Sequence, residues 1–219
     1  EIKRVGILGA GVMGAQIAAH LTNAKIPVYA FDMSQDVAEK GVEAAVKIKP
    51  AAFYNPKNAE MITPLNYDDH LDKLKECDWI IEVIAEKIEW KHGLYERITS
   101  HVNPNAIITS NTSGLAAATL AEKMDASLKK RFFITHFFNP PRYMKLVEII
   151  THADTDKSLI KPMADFLENV LGKGVVYAKD TPNFVANRIG VFGMMATLEE
   201  AYRRNLSIED VDALTGTLI

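Results

Sequence analysis

Short apolar runs alternate with longer stretches in which apolar residues recur every three or four positions, and this rhythm continues to residue 178. The runs at 5–8, 28–31, 79–84, 106–109, 132–136, 146–150 and 175–177 read as buried strands. A strand covered on both faces shows continuous rather than alternating hydrophobicity. Helices are predicted near 12–24, 35–47, 68–76, 87–101, 115–123 and 156–171. Such a strand–helix–strand order predicts an α/β, doubly wound, mostly parallel sheet. Residues 50–66 interrupt it with three prolines, three asparagines and no clear period. They are expected to form a surface loop or an insertion in the second crossover.

The pattern changes at Lys179-Asp180-Thr181-Pro182. Thr181 suits a helix N-cap and Pro182 the first helical position, so one long helix is predicted from there to Arg204 and another from Ser207. A boundary near residue 180 divides the chain into 1–180 and the start of an all-helical domain, 181–219. Phe184, Val185, Ile189, Val191, Phe192, Met194, Met195 and Leu198 surround much of the long helix, the pattern of a buried element. Only one short segment follows, so this surface is expected to need further helices or another copy of the chain.

Between the first strand and first helix stands Gly9-Ala10-Gly11-Val12-Met13-Gly14, with Asp32 18 residues beyond Gly14 at the end of the second strand. The spacing has a mechanical reason. Gly9 allows a tight turn, Gly11 lets a pyrophosphate approach the backbone, and Gly14 lets helix and strand pack closely. Free N–H groups and the positive dipole end of the helix would hold the phosphates, which places Val12 and Met13 in the same site. A carboxylate at Asp32 can accept both hydroxyls of an adenine ribose and would repel a 2′-phosphate. A Rossmann-like domain that binds NAD rather than NADP is the expectation.

Composition narrows the class. The chain has 219 residues, 48% hydrophobic and 24% charged, enough for a substantial core. A net charge of −3 offers no basic face for nucleic acid and no polybasic patch for a membrane. No apolar run approaches the length of a membrane span, and no signal segment opens the chain. Residue 1 already stands at the opening of the first strand, so any natural leader is expected to lie outside this sequence. The single cysteine, Cys77, excludes an internal disulfide and fits a reducing compartment such as the cytoplasm. It precedes an apolar strand and reads as a structural thiol.

In an open α/β sheet, ligands bind beyond the carboxyl ends of the strands. That edge carries Glu86 and Lys91 after the third strand, Ser113 after the fourth and His136 at the end of the fifth. Histidine moves a proton readily near neutral pH, and oxidation of a secondary alcohol needs a base for the hydroxyl proton. Glu148 is an acid inside an otherwise apolar strand and must find a partner. The adjacent strand offers His136, whose tautomer a carboxylate would fix. His20, His70, His92, His101 and His152 lack metal-ligand spacing, and no metal is expected.

Four motifs in order then resemble one family: Asn111-Thr112-Ser113, His136-Phe137-Phe138-Asn139-Pro140, Met144-Lys145-Leu146-Val147-Glu148 and Asp180-Thr181-Pro182-Asn183-Phe184-Val185-Ala186-Asn187-Arg188. They resemble the 3-hydroxyacyl-CoA dehydrogenases of fatty-acid β-oxidation, and the resemblance covers the whole chain. It implies NAD-dependent oxidation of (S)-3-hydroxyacyl-CoA to 3-oxoacyl-CoA. It also implies that His136 is the general base, that Glu148 orients it, and that Ser113 and Asn187 contact the substrate. Glu86, Lys91 and Asn139, with Ser113, would contact the cofactor, and the helical domain would join copies into a homo-oligomer. Arg142-Tyr143-Met144 and residues 169–176 are most similar to a bacterial branch whose full chains carry an enoyl-CoA hydratase after the dehydrogenase. Gly114 stands where many members have a second serine, and only the opening of the family's C-terminal helical domain follows residue 180, which implies a fragment. Two alternatives are a β-hydroxyacid or 6-phosphogluconate-type dehydrogenase and a non-catalytic NAD-binding relative. The first needs a helix lysine behind a glycine-rich segment, which is not seen. Intact His136, Glu148, Ser113 and Asn187 argue against the second.

Overall fold

The computed structural model describes residues 2–216. Its strands are β1 (Val5–Leu8), β2 (Val28–Asp32), β3 (Ile62–Asn66), β4 (Trp79–Glu82), β5 (Ile107–Ser110), β6 (Phe132–Phe137), β7 (Leu146–Ile150) and β8 (Gly174–Ala178). Its helices are α1 (Val12–Asn23), α2 (Gln35–Lys47), α3 (Ile88–Ile98), α4 (Ala117–Ala121), α5 (Ala126–Lys130), α6 (Ile160–Asn169), α7 (Ala186–Arg203) and α8 (Ile208–Thr215). Among the described residues, eight strands form one sheet in the order β3-β2-β1-β4-β5-β6-β7-β8. All neighbours are parallel except β6 and β7, which run antiparallel and set His136 directly opposite Glu148. The order turns back at β1, and β4 lies on its other side, the switch point at which such sheets open a ligand crevice.

Period-two alternation sends successive strand residues to two cores. Val5, Ile7, Trp79, Ile81, Phe133 and Val147 face α1, α2 and α6. Leu8, Ile80, Ile108, Phe132, Ile134 and Ile150 face α3, α4 and α5. Glu82, His136 and Glu148 share the register of the second set. On the first face Trp79 Nε1 donates to Thr109 Oγ1 at 2.9 Å, and the Thr135 hydroxyl donates to the same oxygen at 2.8 Å, so these buried polar groups are paired.

The structure refines several sequence expectations. The 50–66 segment holds a 3₁₀ helix, Pro56–Met61, and then β3, which the proline-rich composition concealed. Pro64 is tolerated there because β3 is an edge strand. Residues expected as a helix at 68–76 form the 3₁₀ turn Leu71–Glu76, and α5 is an additional helix capped by the Asp125 side chain. The long helix does not start at Pro182. Phe184 N donates to Thr181 O, and Asn183 and Phe184 adopt φ of 64° and 48°, so a turn precedes α7 and Thr181 is not its cap. Cys77 is buried and its thiol is pushed up to about 12, chiefly by burial. Among the described residues no helix is long and apolar enough to cross a membrane.

Candidate active site

The glycine loop joins β1 to α1 at the carboxyl edge of the sheet. Gly9 has φ of +107°, and a Cβ there would lie 2.8 Å from Val83 O, so both conformation and space require glycine. A Cβ on Gly14 would come within 1.8 Å of Gly9 O, whereas one on Gly11 would meet nothing. Gly14 therefore packs, and Gly11 faces open space at the start of α1. Asp32 ties the loop to β2: Oδ2 accepts from Ala10 N at 2.8 Å and Oδ1 from Met33 N at 2.7 Å. A cleft of about 660 Å³ opens here, bounded by Gly9, Gly11 and Asp32 on one side and Trp90, Leu94 and Arg97 on the other. Its size is that of a cofactor site, roughly 300–1,000 Å³.

A second cleft of about 440 Å³ shares Val83, Ile84 and Ala85 with the first. It brings together Glu86, Lys91, Ser113, His136, Asn139 and Asn187, residues that lie far apart in sequence, and Met13 also lines it. Val12, 65% exposed in the first turn of α1, sits at the mouth of the glycine loop. Gln16 on α1 donates to Asn139 Oδ1 at 3.3 Å, linking the loop after β6 to the cofactor helix.

His136 is buried, and its Nδ1 lies 2.8 Å from Glu148 Oε2. Glu148 is fully buried rather than on a solvated face. Its second oxygen accepts from Val185 N and Ala186 N, both at 2.9 Å, and so caps α7, which carries Asn187 one residue on. The imidazole is flanked by Phe138 at 4.4 Å and Phe184 at 5.6 Å between centroids. The positive φ of Phe184 is costly for a bulky side chain, and it is this turn that delivers the ring.

Glu86 and Lys91 form an ion pair in which Glu86 is exposed and Lys91 is buried. Lys91 is 1% exposed and its ammonium lies 2.6 Å from Glu82 and 3.4 Å from Glu86. Burial works to raise the Glu86 carboxyl. The Thr112 hydroxyl, the Lys91 charge and the Ser113 and Gly114 N–H groups outweigh it and hold it below the usual carboxylate range. Sequence reasoning missed Glu82 and, within the Asn111-Thr112-Ser113 motif, assigned no role to Asn111 or Thr112. Asn111 Oδ1 accepts from Phe137 N at 2.8 Å, steadying the backbone beside His136. Glu82 carried a legible signal, since it too is an acid inside an apolar strand.

These residues fit a dinucleotide: a glycine cradle with room at Gly11, a carboxylate at the end of β2, and a cleft that runs on to a buried histidine. Comparison with known proteins agrees. The chain is 43% identical over its whole length to a probable 3-hydroxyacyl-CoA dehydrogenase of Bacillus subtilis, of which it spans 30%. It is 44% identical, over 99% of its length, to a probable 3-hydroxyacyl-CoA dehydrogenase of Deinococcus radiodurans, of which it spans 64%. The crystal structure of (S)-3-hydroxybutyryl-CoA dehydrogenase from Ralstonia eutropha superposes with a TM-score of 0.81 at 30% identity, covering 95% of this chain and 75% of that one. Residues 4–181 match the family described as 3-hydroxyacyl-CoA dehydrogenase, NAD binding domain, and the chain belongs to that family.

Proposed function

We propose that the protein containing these residues oxidises (S)-3-hydroxyacyl-CoA to 3-oxoacyl-CoA with NAD, and that His136 is its general base. The observation that carries this reading is the buried 2.8 Å contact between His136 Nδ1 and Glu148 Oε2 at the cofactor edge of the sheet. An ionised carboxylate only accepts, so Glu148 keeps the proton on Nδ1 and leaves the Nε2 lone pair for the substrate hydroxyl. As that proton moves, positive charge grows on the ring and the carboxylate stabilises it. When bound, NAD supplies the acceptor for the hydride that leaves C3, so the alcohol becomes a ketone. Ser113 and Asn187, which line the cleft with His136, hold the 3-oxygen and the thioester in this reading. Glu86, Lys91 and Asn139 hold the nicotinamide half. Gly9, Gly11, Val12, Met13 and Gly14 receive the pyrophosphate, and Asp32 receives the ribose hydroxyls.

The reading divides the chain near residue 180. Residues 1–180 are the cofactor domain, supported by the single sheet that ends at Ala178. Residues from 181 open a helical domain for substrate binding and assembly, supported by α7, which buries none of its residues here. The absence of a cysteine pair suits a reducing compartment such as the bacterial cytoplasm.

The test is reduction of acetoacetyl-CoA by NADH, with the protein expressed from its complete reading frame. Turnover that favours NADH over NADPH supports the proposal. A folded protein that binds NADH and turns over no 3-oxoacyl-CoA would be a cofactor binder without this reaction.

A further inference from the structure

Glu148 is not the only carboxylate enclosed by the sheet. Glu82, the last residue of β4, is fully buried, and four donors converge on it. Lys91 Nζ (2.6 Å) and Ile84 N (2.8 Å) reach Oε1, while Tyr95 OH (2.7 Å) and Ser110 Oγ (2.7 Å) reach Oε2.

Three of the four bonds made by Glu82, those from Lys91, Ile84 and Ser110, lead back to the cleft. Lys91 lies between Glu82 and Glu86, and its ammonium also donates to Ile84 O at 3.2 Å. Ser110 Oγ accepts from Thr112 N at 3.2 Å. The Thr112 hydroxyl donates to Glu86 Oε1 at 2.5 Å, which also accepts from Ser113 N at 2.7 Å. The result is a closed ring of bonds joining β4, α3 and the loop after β5. Stability alone is a poor reason for it, because a buried ion pair often contributes no more than apolar residues of the same volume. What the ring does supply is a fixed location for one ammonium and one loop at the edge of the cofactor cleft.

We propose that Glu82 is a positioning residue for the dehydrogenase reaction, holding the Lys91 ammonium and the 110–114 loop in the geometry that receives the dinucleotide. The inference rests on the proposed function, and NADH affinity is the measurement that decides it.

The experiment is a double-mutant cycle in the complete protein, using Glu82→Gln, Lys91→Met and both together, with NADH affinity measured at pH 7. Glu82→Gln should weaken NADH binding by about tenfold, a loss of about 1.4 kcal/mol, and raise the KM for NADH more than it lowers kcat. In the Lys91→Met background the same change at Glu82 should leave affinity within about twofold. Equal losses in the two backgrounds would mean general damage and overturn the proposal. So would a folded Glu82→Gln protein with wild-type affinity.

Should Glu82→Gln fail to fold, Ser110→Ala removes one donor of the ring. A rise of about fivefold in the Kd for NADH, one hydrogen bond's worth, supports the proposal, and an unchanged Kd overturns it. NADH binding without acetoacetyl-CoA turnover in the wild type would end the proposed reaction and leave this test standing. Turnover with binding indifferent to Glu82 would end this proposal alone.

Discussion

His136 and Glu148 divide their work by atom. One carboxylate oxygen of Glu148 faces the imidazole and the other accepts two backbone N–H groups of the turn into α7. His136→Ala should leave NADH affinity near wild type and lower turnover by about 10²–10⁴-fold, the usual contribution of a general base. Rapid-mixing kinetics beside an NADH titration check both halves. Glu148→Gln makes a sharper prediction. If the amide oxygen keeps the α7 cap, the amide NH₂ must donate to His136 Nδ1, which moves the ring proton to Nε2 and removes the base. The variant should fold with α7 in place and lose most of its turnover. Near wild-type activity would mean that the dyad does not set the tautomer.

At the scale of elements, the end of α1 is tied to the turn before β8 by His20, whose Nε2 lies 3.1 Å from Leu171 O. Burial first, and then the nearby Lys173 and Arg142 charges, lower the His20 imidazole to about 4. Its folded-state affinity for protons is thus below that of the unfolded chain. Between about pH 6.5 and 4 the unfolded chain binds the extra proton, so stability rises with pH across that window and is complete above it. By pH 4.5, about two pH units below the unfolded value, the loss should approach about 2–3 kcal/mol, at roughly 1.4 kcal/mol per unit. Denaturant melts of wild type and His20→Gln at pH 4.5 and 7 measure it. Gln can still donate to Leu171 O but cannot charge, so its stability should change less with pH.

Elements also show what the sequence made legible. β1, β2, β6 and β7 announce themselves because both faces are buried, and the glycine loop because its spacing has a mechanical cause. β3 was hidden by Pro64, which only an edge position permits. The start of α7 was misplaced because Thr181 and Pro182 look like a cap. The chain instead turns through two residues of positive φ, and the capping oxygen comes from Glu148, 37 residues from Val185. A cap supplied from such a distance leaves no local trace. Glu82 carries on β4 the same trace that marks Glu148 on β7, an acid inside an apolar run.

For the whole molecule, a run of exposed apolar side chains lies on α7. Ile189, Phe192 and Met195, spaced three apart, are 67%, 75% and 58% exposed. Each such side chain forgoes about 1.5–3 kcal/mol when left in water, which supports its being covered in the complete protein by further helices or a second copy. Phe192→Glu should therefore lower either the melting temperature or the mass found by light scattering. Unchanged values for both would identify the face as ordinary wet surface.

The reversal of a single strand, β7, also bears on the order of assembly. Parallel neighbours must wait for a crossover to fold, but β6 and β7 meet through one short connection, and His136 and Glu148 are only 12 residues apart in the chain. Contacts of low sequence separation lose little loop entropy on closing and tend to form early. The His136–Glu148 pair would then exist before the glycine loop is in place. Pulse-labelled hydrogen exchange should find β6 and β7 amides protected ahead of those joining β1 to β4. Simultaneous protection of the whole sheet would instead mark a chain that closes around its dyad all at once.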